Sequence, residues 1–139
     1  MQKVVLDTNV IVSSLIGTSY PKQIIFDFVL NKKLIVCIST EIFSEYIEVL
    51  NREKFLKYPE FVAKADIVTS KLYDLAIKLT PFFKLNIVND ESDNKFIELA
   101  VFANADFLIT GNTHHFKMDK YENVKIVTPE VFVKQFKEL

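Results

Sequence analysis

The sequence predicts an α/β fold with a mainly parallel central sheet and helices on both faces. Three observations carry this. Short, continuous apolar runs are each stopped by a polar cluster, as in strands buried on both sides. Amphipathic helical patterns lie between those runs. Glycine is scarce, with only Gly17 and Gly111, and the prolines fall where breaks are expected.

In chain order, Val4-Val5-Leu6 reads as the first buried strand, and Leu34 to Ile38 as the second. Phe107-Leu108-Ile109-Thr110 and Val124-Lys125-Ile126-Val127 are the third and fourth. Between them, Pro21 opens a helix running through Gln23 to Leu30. Ser39 or Thr40 caps a helix carrying Ile42, Phe43, Tyr46, Ile47 and Leu50. Pro59 starts a longer one through Val62, Ala65, Val68, Leu72, Leu75 and Leu79. From Asp93, the set Phe96, Leu99, Ala100 and Ala103 follows i, i+3, i+4, i+7. Thr128-Pro129-Glu130 combines a hydroxyl cap, a first-position proline and a first-turn acid, and predicts a last helix to about Lys137.

At 139 residues the chain makes a single domain over 1–139. Half the residues are hydrophobic and a quarter charged, which excludes a disordered chain. The lone cysteine, Cys37, sits in the apolar run Leu34–Ile38 and reads as a buried, inert thiol. No charged leader, apolar core and cleavage site opens the sequence, and no apolar run approaches the roughly 20 residues that span a bilayer. A soluble, cytoplasmic protein without membrane attachment is expected. The net charge of −1 gives no global attraction for nucleic acid, so any such attraction must be local or metal-borne.

In parallel sheets, ligands gather outside the carboxyl ends of the strands. Asp7 follows the first strand at once and so lies at that edge. A carboxylate there is short of water and seeks a cation, a donor array or a proton. It can equally cap the helix that starts at Thr8. Glu45 lies on the helix after the second strand, with Glu41 and Glu48 as its i−4 and i+3 neighbours. Such an acidic face is ordinarily solvated, at a cost of a few tenths of a kcal/mol per like pair. Glu45, however, sits near the border of the helix's buried side. Asn89-Asp90-Glu91-Ser92-Asp93-Asn94 enters the next helix. Capping accounts for one acid there; three acids within four residues gain nothing from it, and a cation would relieve their repulsion.

Thr110-Gly111-Asn112-Thr113-His114-His115 forms another carboxyl-end loop, small and polar enough for close approach of a ligand. His114-His115 reads as a surface or substrate-contacting pair rather than a zinc site, because adjacent histidines diverge and neither Cys nor a third His joins them. Hard oxygen ligands select Mg²⁺ or Mn²⁺. Such ions beside clustered carboxylates suit phosphodiester hydrolysis. A phosphate-binding glycine loop, a G-x-S-x-G elbow and a placed nucleophilic cysteine are all missing. A phosphatase using Asp7 as nucleophile is disfavoured, since position 9 is Asn rather than a second Asp.

Val4-Val5-Leu6-Asp7-Thr8-Asn9-Val10, Ser44-Glu45-Tyr46-Ile47-Glu48-Val49-Leu50, Asp90-Glu91-Ser92-Asp93-Asn94-Lys95-Phe96 and Ala105-Asp106-Phe107-Leu108-Ile109-Thr110-Gly111-Asn112 occur in one order. Each is weak alone. Together, over essentially the whole chain, they resemble PIN domains, and most closely the prokaryotic branch of VapC-type toxins. The resemblance implies a three-layer α/β/α sandwich and Mg²⁺- or Mn²⁺-dependent endoribonuclease activity. It sets Asp7, Glu45 and Asp93 in the three acidic, metal-holding positions, and Asn9 as a support for Asp7. It also implies a homodimer and, for the toxin branch, an antitoxin partner. Asp106 more plausibly anchors its loop. Where many PIN domains carry a further aspartate, this chain has Asn112, which supplies a carbonyl oxygen without charge. Asp90 is a candidate to replace that charge.

Besides Thr110 at the site, Arg52, Lys54 and Lys57 after the acidic helix, with Lys117 and Lys120 after the histidines, are candidate contacts to an RNA backbone. The competing reading is a catalytically weakened PIN-like module that binds RNA or a protein, motivated by Asn112.

Overall fold

A computed structural model describes residues 1–17, 19–87, 91–116 and 118–136. Four parallel strands form its centre: β1 (Lys3–Leu6), β2 (Ile35–Ile38), β4 (Phe107–Ile109) and β6 (Val124–Val127). Two short strands border them, β3 (Ile77–Lys78) and β5 (Lys120–Tyr121). The order is β3-β2-β1-β4-β6-β5, parallel throughout except for the β5–β6 pair. Val4, Val5, Leu6, Leu108 and Ile109 are fully buried, as the unbroken apolar runs require.

Seven α-helices are present among the described residues: α1 (Thr8–Leu15), α2 (Ser19–Lys22), α3 (Thr40–Leu50), α4 (Glu53–Leu56), α5 (Pro59–Leu75), α6 (Glu91–Phe102) and α7 (Pro129–Gln135). The crossover from β1 to β2 runs one way across the sheet and that from β3 to β4 the other. Right-handed crossovers therefore put α1 and α6 on opposite faces. α1 packs with α2, α3 and the segment before β2, while α6 packs on β1, β2 and β4. The α/β architecture with a mainly parallel sheet is that expected from the sequence. No helix among the described residues is long and apolar enough to cross a membrane.

Most boundaries follow local chemistry. The Ser39 hydroxyl accepts the Ile42 N–H at 3.1 Å and starts α3. The Thr128 hydroxyl accepts the Val131 N–H at 3.2 Å, with Pro129 at the first position of α7. Lys137, the expected end of that helix, lies outside the described residues. α6 closes on Asn104, which takes the left-handed conformation (φ 54°) so that the Ala105 N–H reaches the Ala100 carbonyl. The Asp106 carboxylate then accepts the Lys3 N–H at 2.8 Å, tying the entry of β4 to that of β1.

Several elements differ from the sequence reading. The helix expected from Pro21 begins at Ser19 and passes into a π-helical stretch, Gln23–Val29, whose wider turns are continued by the Leu30 N–H to Ile25 and the Lys33 N–H to Phe28 bonds. α5 ends at Leu75, and Leu79 instead follows the edge strand β3, its N–H bonded to the Ile38 carbonyl. α4, β3 and β5 were not anticipated, each being too short to show a period.

Candidate active site

The chain passes from β1 leftward to β2 and β3, then returns to place β4 on the other side of β1. The carboxyl ends of β1 and β4 therefore flank the point where the strand order reverses, where an open parallel sheet leaves a crevice. Asp7 leaves β1 there, its N–H bonded to the Ile109 carbonyl at 2.9 Å. Thr110 leaves β4 beside it and is fully buried.

Asp7 occupies the cap position of α1, yet its side chain makes no capping hydrogen bond. Its Oδ2 instead accepts the Thr110 hydroxyl at 2.7 Å and, more distantly, the Asn9 amide at 3.5 Å. Asn9 in turn accepts the Gly111 N–H at 3.0 Å, and Thr110 Oγ1 accepts the Asn112 N–H at 3.0 Å. These bonds knit the start of α1 to the loop after β4. Gly111 passes close to Asn9: a Cβ there would stand in van der Waals contact, 3.4 Å from Asn9 Oδ1.

Burial pushes the Asp7 carboxyl above its usual value; the Thr110 hydroxyl and the Asn9 backbone N–H oppose this, and the charges of Asp93 and Glu45 add to it. The Asp7 carboxyl thus feels the charges of the two other acids named from the sequence. The three do not form a closed ligand group: among the described residues, no three His, Cys, Asp or Glu side chains are arranged to hold one ion. Each acid has a local setting of its own. Asp93, in the first turn of α6, has His115 Nδ1 at 3.6 Å from its Oδ2. Glu45 is held through Oε2 by the Thr8 hydroxyl and through Oε1 by Lys95 Nζ at 2.7 Å. Beneath them, the fully buried Tyr46 donates its hydroxyl to the Leu6 carbonyl, one residue before Asp7. Burial raises the Tyr46 phenol well above its ordinary value, with Asp7 and Glu45 contributing.

The acidic face of α3 is compensated acid by acid. Glu41 lies 3.7 Å from Lys84, Glu45 pairs with Lys95, and Glu48 pairs with Arg52 at 3.0 Å. Arg52 is thereby engaged on its own helix, whereas Lys54 lies over the Phe55 ring and Lys57 over the Tyr58 ring. Lys120, with His114 and Lys125, lines an open groove of about 910 Å³ beside the loop after β4. Asn112 is half-buried at the start of a 3₁₀ turn, Thr113–His115. Among the described residues its side chain makes no hydrogen bond to the three acids. Asp90 and Lys117 lie outside the described residues. Cys37 is buried and its thiol is pushed up by desolvation, consistent with an inert group.

The sequence reading missed the polar side of α6. Asn94, Lys95 and Glu98 are buried although nothing in a single helical period sets them apart from solvent-facing residues. Glu98 accepts the Leu85 N–H at 2.8 Å and Asn94 accepts the Ile87 N–H at 3.0 Å, so the extended segment before α6 lies along that side. The available signal was long range: a 12-residue stretch after β3 without helical period, which has to be covered by something.

The PIN-domain family model matches residues 3–114. An uncharacterized protein of Methanocaldococcus jannaschii is 28% identical over 144 residues, covering 98% of this chain and 92% of its own length. PIN domains are in general nucleases that act on nucleic acid, typically with divalent metal ions. With the family match over most of the chain and the mostly parallel six-stranded sheet, this chain belongs to the PIN-domain family.

Proposed function

We propose that this chain is a Mg²⁺- or Mn²⁺-dependent endoribonuclease. The observation that carries the reading is Asp7: a buried carboxylate at the head of α1 whose charge is opposed by burial and by the charges of Asp93 and Glu45. Such an arrangement opposes stability unless a cation or a proton is supplied. The donors are all oxygen, which suits a hard divalent ion better than zinc. Asp7 and Asp93 are the groups that would hold it, while Glu45, the third acid of this reading, is paired with Lys95. Asn112 is a further, neutral oxygen donor in this reading, and Asp90 a reserve of charge.

A bound divalent ion supplies a nucleophilic water at neutral pH and neutralises charge developing on the phosphoryl oxygens. The chain's own residues do the rest. Thr110 fixes one oxygen of Asp7, leaving the other for the cation, and Asn9 clamps the two loops that carry these groups. His115 is placed at Asp93, at the mouth of the site. Lys120 and Lys125 line the adjoining groove as candidate contacts to an RNA backbone, and Arg52, paired with Glu48, and Lys54, over the Phe55 ring, are further candidates. Role as a toxin of a toxin–antitoxin pair, assembled as a homodimer and neutralised by a small antitoxin protein, extends this reading on the resemblance to VapC-type proteins. The direct test incubates labelled structured and unstructured RNA, and DNA of the same sequence, with Mn²⁺ or EDTA. Cleavage of RNA only, and only with Mn²⁺, is the expected result. Metal-resistant cleavage or preference for DNA contradicts it.

One observation favours the alternative of a catalytically weakened binding module: Glu45 is already neutralised within the protein. Retarded migration of RNA without cleavage under any metal would select it.

A further inference from the structure

The groove of about 910 Å³ between β5, β6 and the start of α7 joins the acidic site on two sides. Val127 ends β6 in its wall, and the Val127 carbonyl accepts the N–H of Thr110, the residue that holds Asp7, at 2.9 Å. The facing wall, Thr113 and His114, lies between Asn112 and His115, whose Nδ1 is 3.6 Å from Asp93. The groove is therefore continuous with the surface where the acids lie.

Its lining combines two chemistries. Val131, half exposed in the first turn of α7, joins Met118, Ile126 and Val127 as apolar surface, and His114 adds an exposed ring. Lys120 and Lys125 are exposed and, unlike Arg52, Lys84 and Lys134, have no ion pair among the described residues. Against the single acid Asp119, with His114 neutral, they give the lining a net charge of +1 on a chain of net charge −1. The cavities between α3 and α6 differ, since Lys84 and Lys95 are balanced there by Glu41 and Glu98.

Such a lining suits a ligand with a flat apolar face and an anionic group on the same unit. Duplex RNA offers only the second, because its bases are stacked inward; an unpaired nucleotide offers both. Adjacency to the acids favours RNA over an acidic peptide as the occupant. We propose that this groove is a subsite for an unpaired nucleotide beside the bond to be cut, its base against Val131 and His114 and its phosphates toward Lys120 and Lys125. The inference rests on the endoribonuclease reading above and deepens it: the substrate has to be unpaired on this side of the cut.

The test reads binding to the full chain in EDTA by fluorescence anisotropy, so that cleavage does not enter. The probes are a labelled single-stranded RNA of about ten nucleotides and the same strand annealed to its complement. The wild type should bind the single strand at least about tenfold tighter than the duplex. Val131→Asp puts a carboxylate into the groove at a helix start, where an acid favours the helix. It should weaken single-strand binding about tenfold or more without lowering the melting temperature. His114→Ala should weaken it about fivefold or more through lost stacking. Lys120→Gln/Lys125→Gln should reduce the slope of log Kd against log salt by about 1.4, or about 0.7 for each phosphate contact, a quantity that a merely structural change would not move. Equal affinity for the duplex, or single-strand binding that these variants leave unchanged, overturns the inference. So does loss of polyglutamate binding in Val131→Asp with RNA binding intact, which would make the occupant a peptide. No single-strand binding by the wild type overturns it as well, and the endoribonuclease reading falls with it only if Mn²⁺-dependent cleavage is also absent.

Discussion

The Thr110 hydroxyl donates to Asp7 Oδ2 at 2.7 Å while accepting the Asn112 N–H at 3.0 Å, so one buried side chain sets both the first acid and the loop after β4. Thr110→Val keeps the shape and removes both bonds. Support of this kind around a ligating carboxylate is commonly worth 10–100-fold in metal affinity or activity. A loss of that size in RNA cleavage is expected, with Mn²⁺ affinity falling in parallel. An unchanged cleavage rate would show that Asp7 is oriented without Thr110.

Asp7 makes the metal-free fold less stable than it need be. Its folded-state carboxyl is raised by burial, then by its acidic neighbours. A raised acid stabilises the fold fully below its unfolded value, and that contribution is lost as pH rises through the unfolded value toward the raised folded one. Asp7→Asn should therefore raise the melting temperature in EDTA at pH 7. The gain should shrink as pH is lowered to where Asp7 is protonated. Thermal melts of both proteins across that range check the sign.

Tyr46 carries the carbonyl of Leu6 through the core. Tyr46→Phe leaves that carbonyl without its hydroxyl partner, at a cost of about 1–3 kcal/mol. Urea unfolding should show the loss as a lower midpoint with an unchanged slope. Cleavage should fall as well, since Leu6 precedes Asp7 directly.

Asp106 serves as a structural control. Its bond to the Lys3 N–H ties β1 to β4 at the end of the sheet remote from the site. Asp106→Ala should cost about 1 kcal/mol of stability and leave the cleavage rate within twofold of wild type. A large catalytic loss would draw this acid into the site.

The order of strands and helices was legible because unbroken apolar runs and 3.6-residue periods are local properties. So were the caps at Ser39 and Thr128, each a hydroxyl at a helix start. That Asp7 would not cap was not legible: the decision belongs to Thr110, which is 103 positions away. The acidic face of α3 read as solvated for the same reason, since Lys84 and Lys95 reach it from another part of the fold. Lys95 was hidden beside Asp93 because a lysine next to an acid on a helix ordinarily faces water. The π-helical stretch Gln23–Val29 carries no recognisable sequence mark and reflects packing on the core.

The central claim is most directly tested by RNA cleavage in Mn²⁺ with wild type and Asp7→Asn, both shown to be folded by their melts. Metal-dependent cleavage by the wild type, lost by at least about 100-fold in Asp7→Asn, is the predicted result. Equal cleavage by the two proteins, or none by the wild type on any RNA, would contradict it.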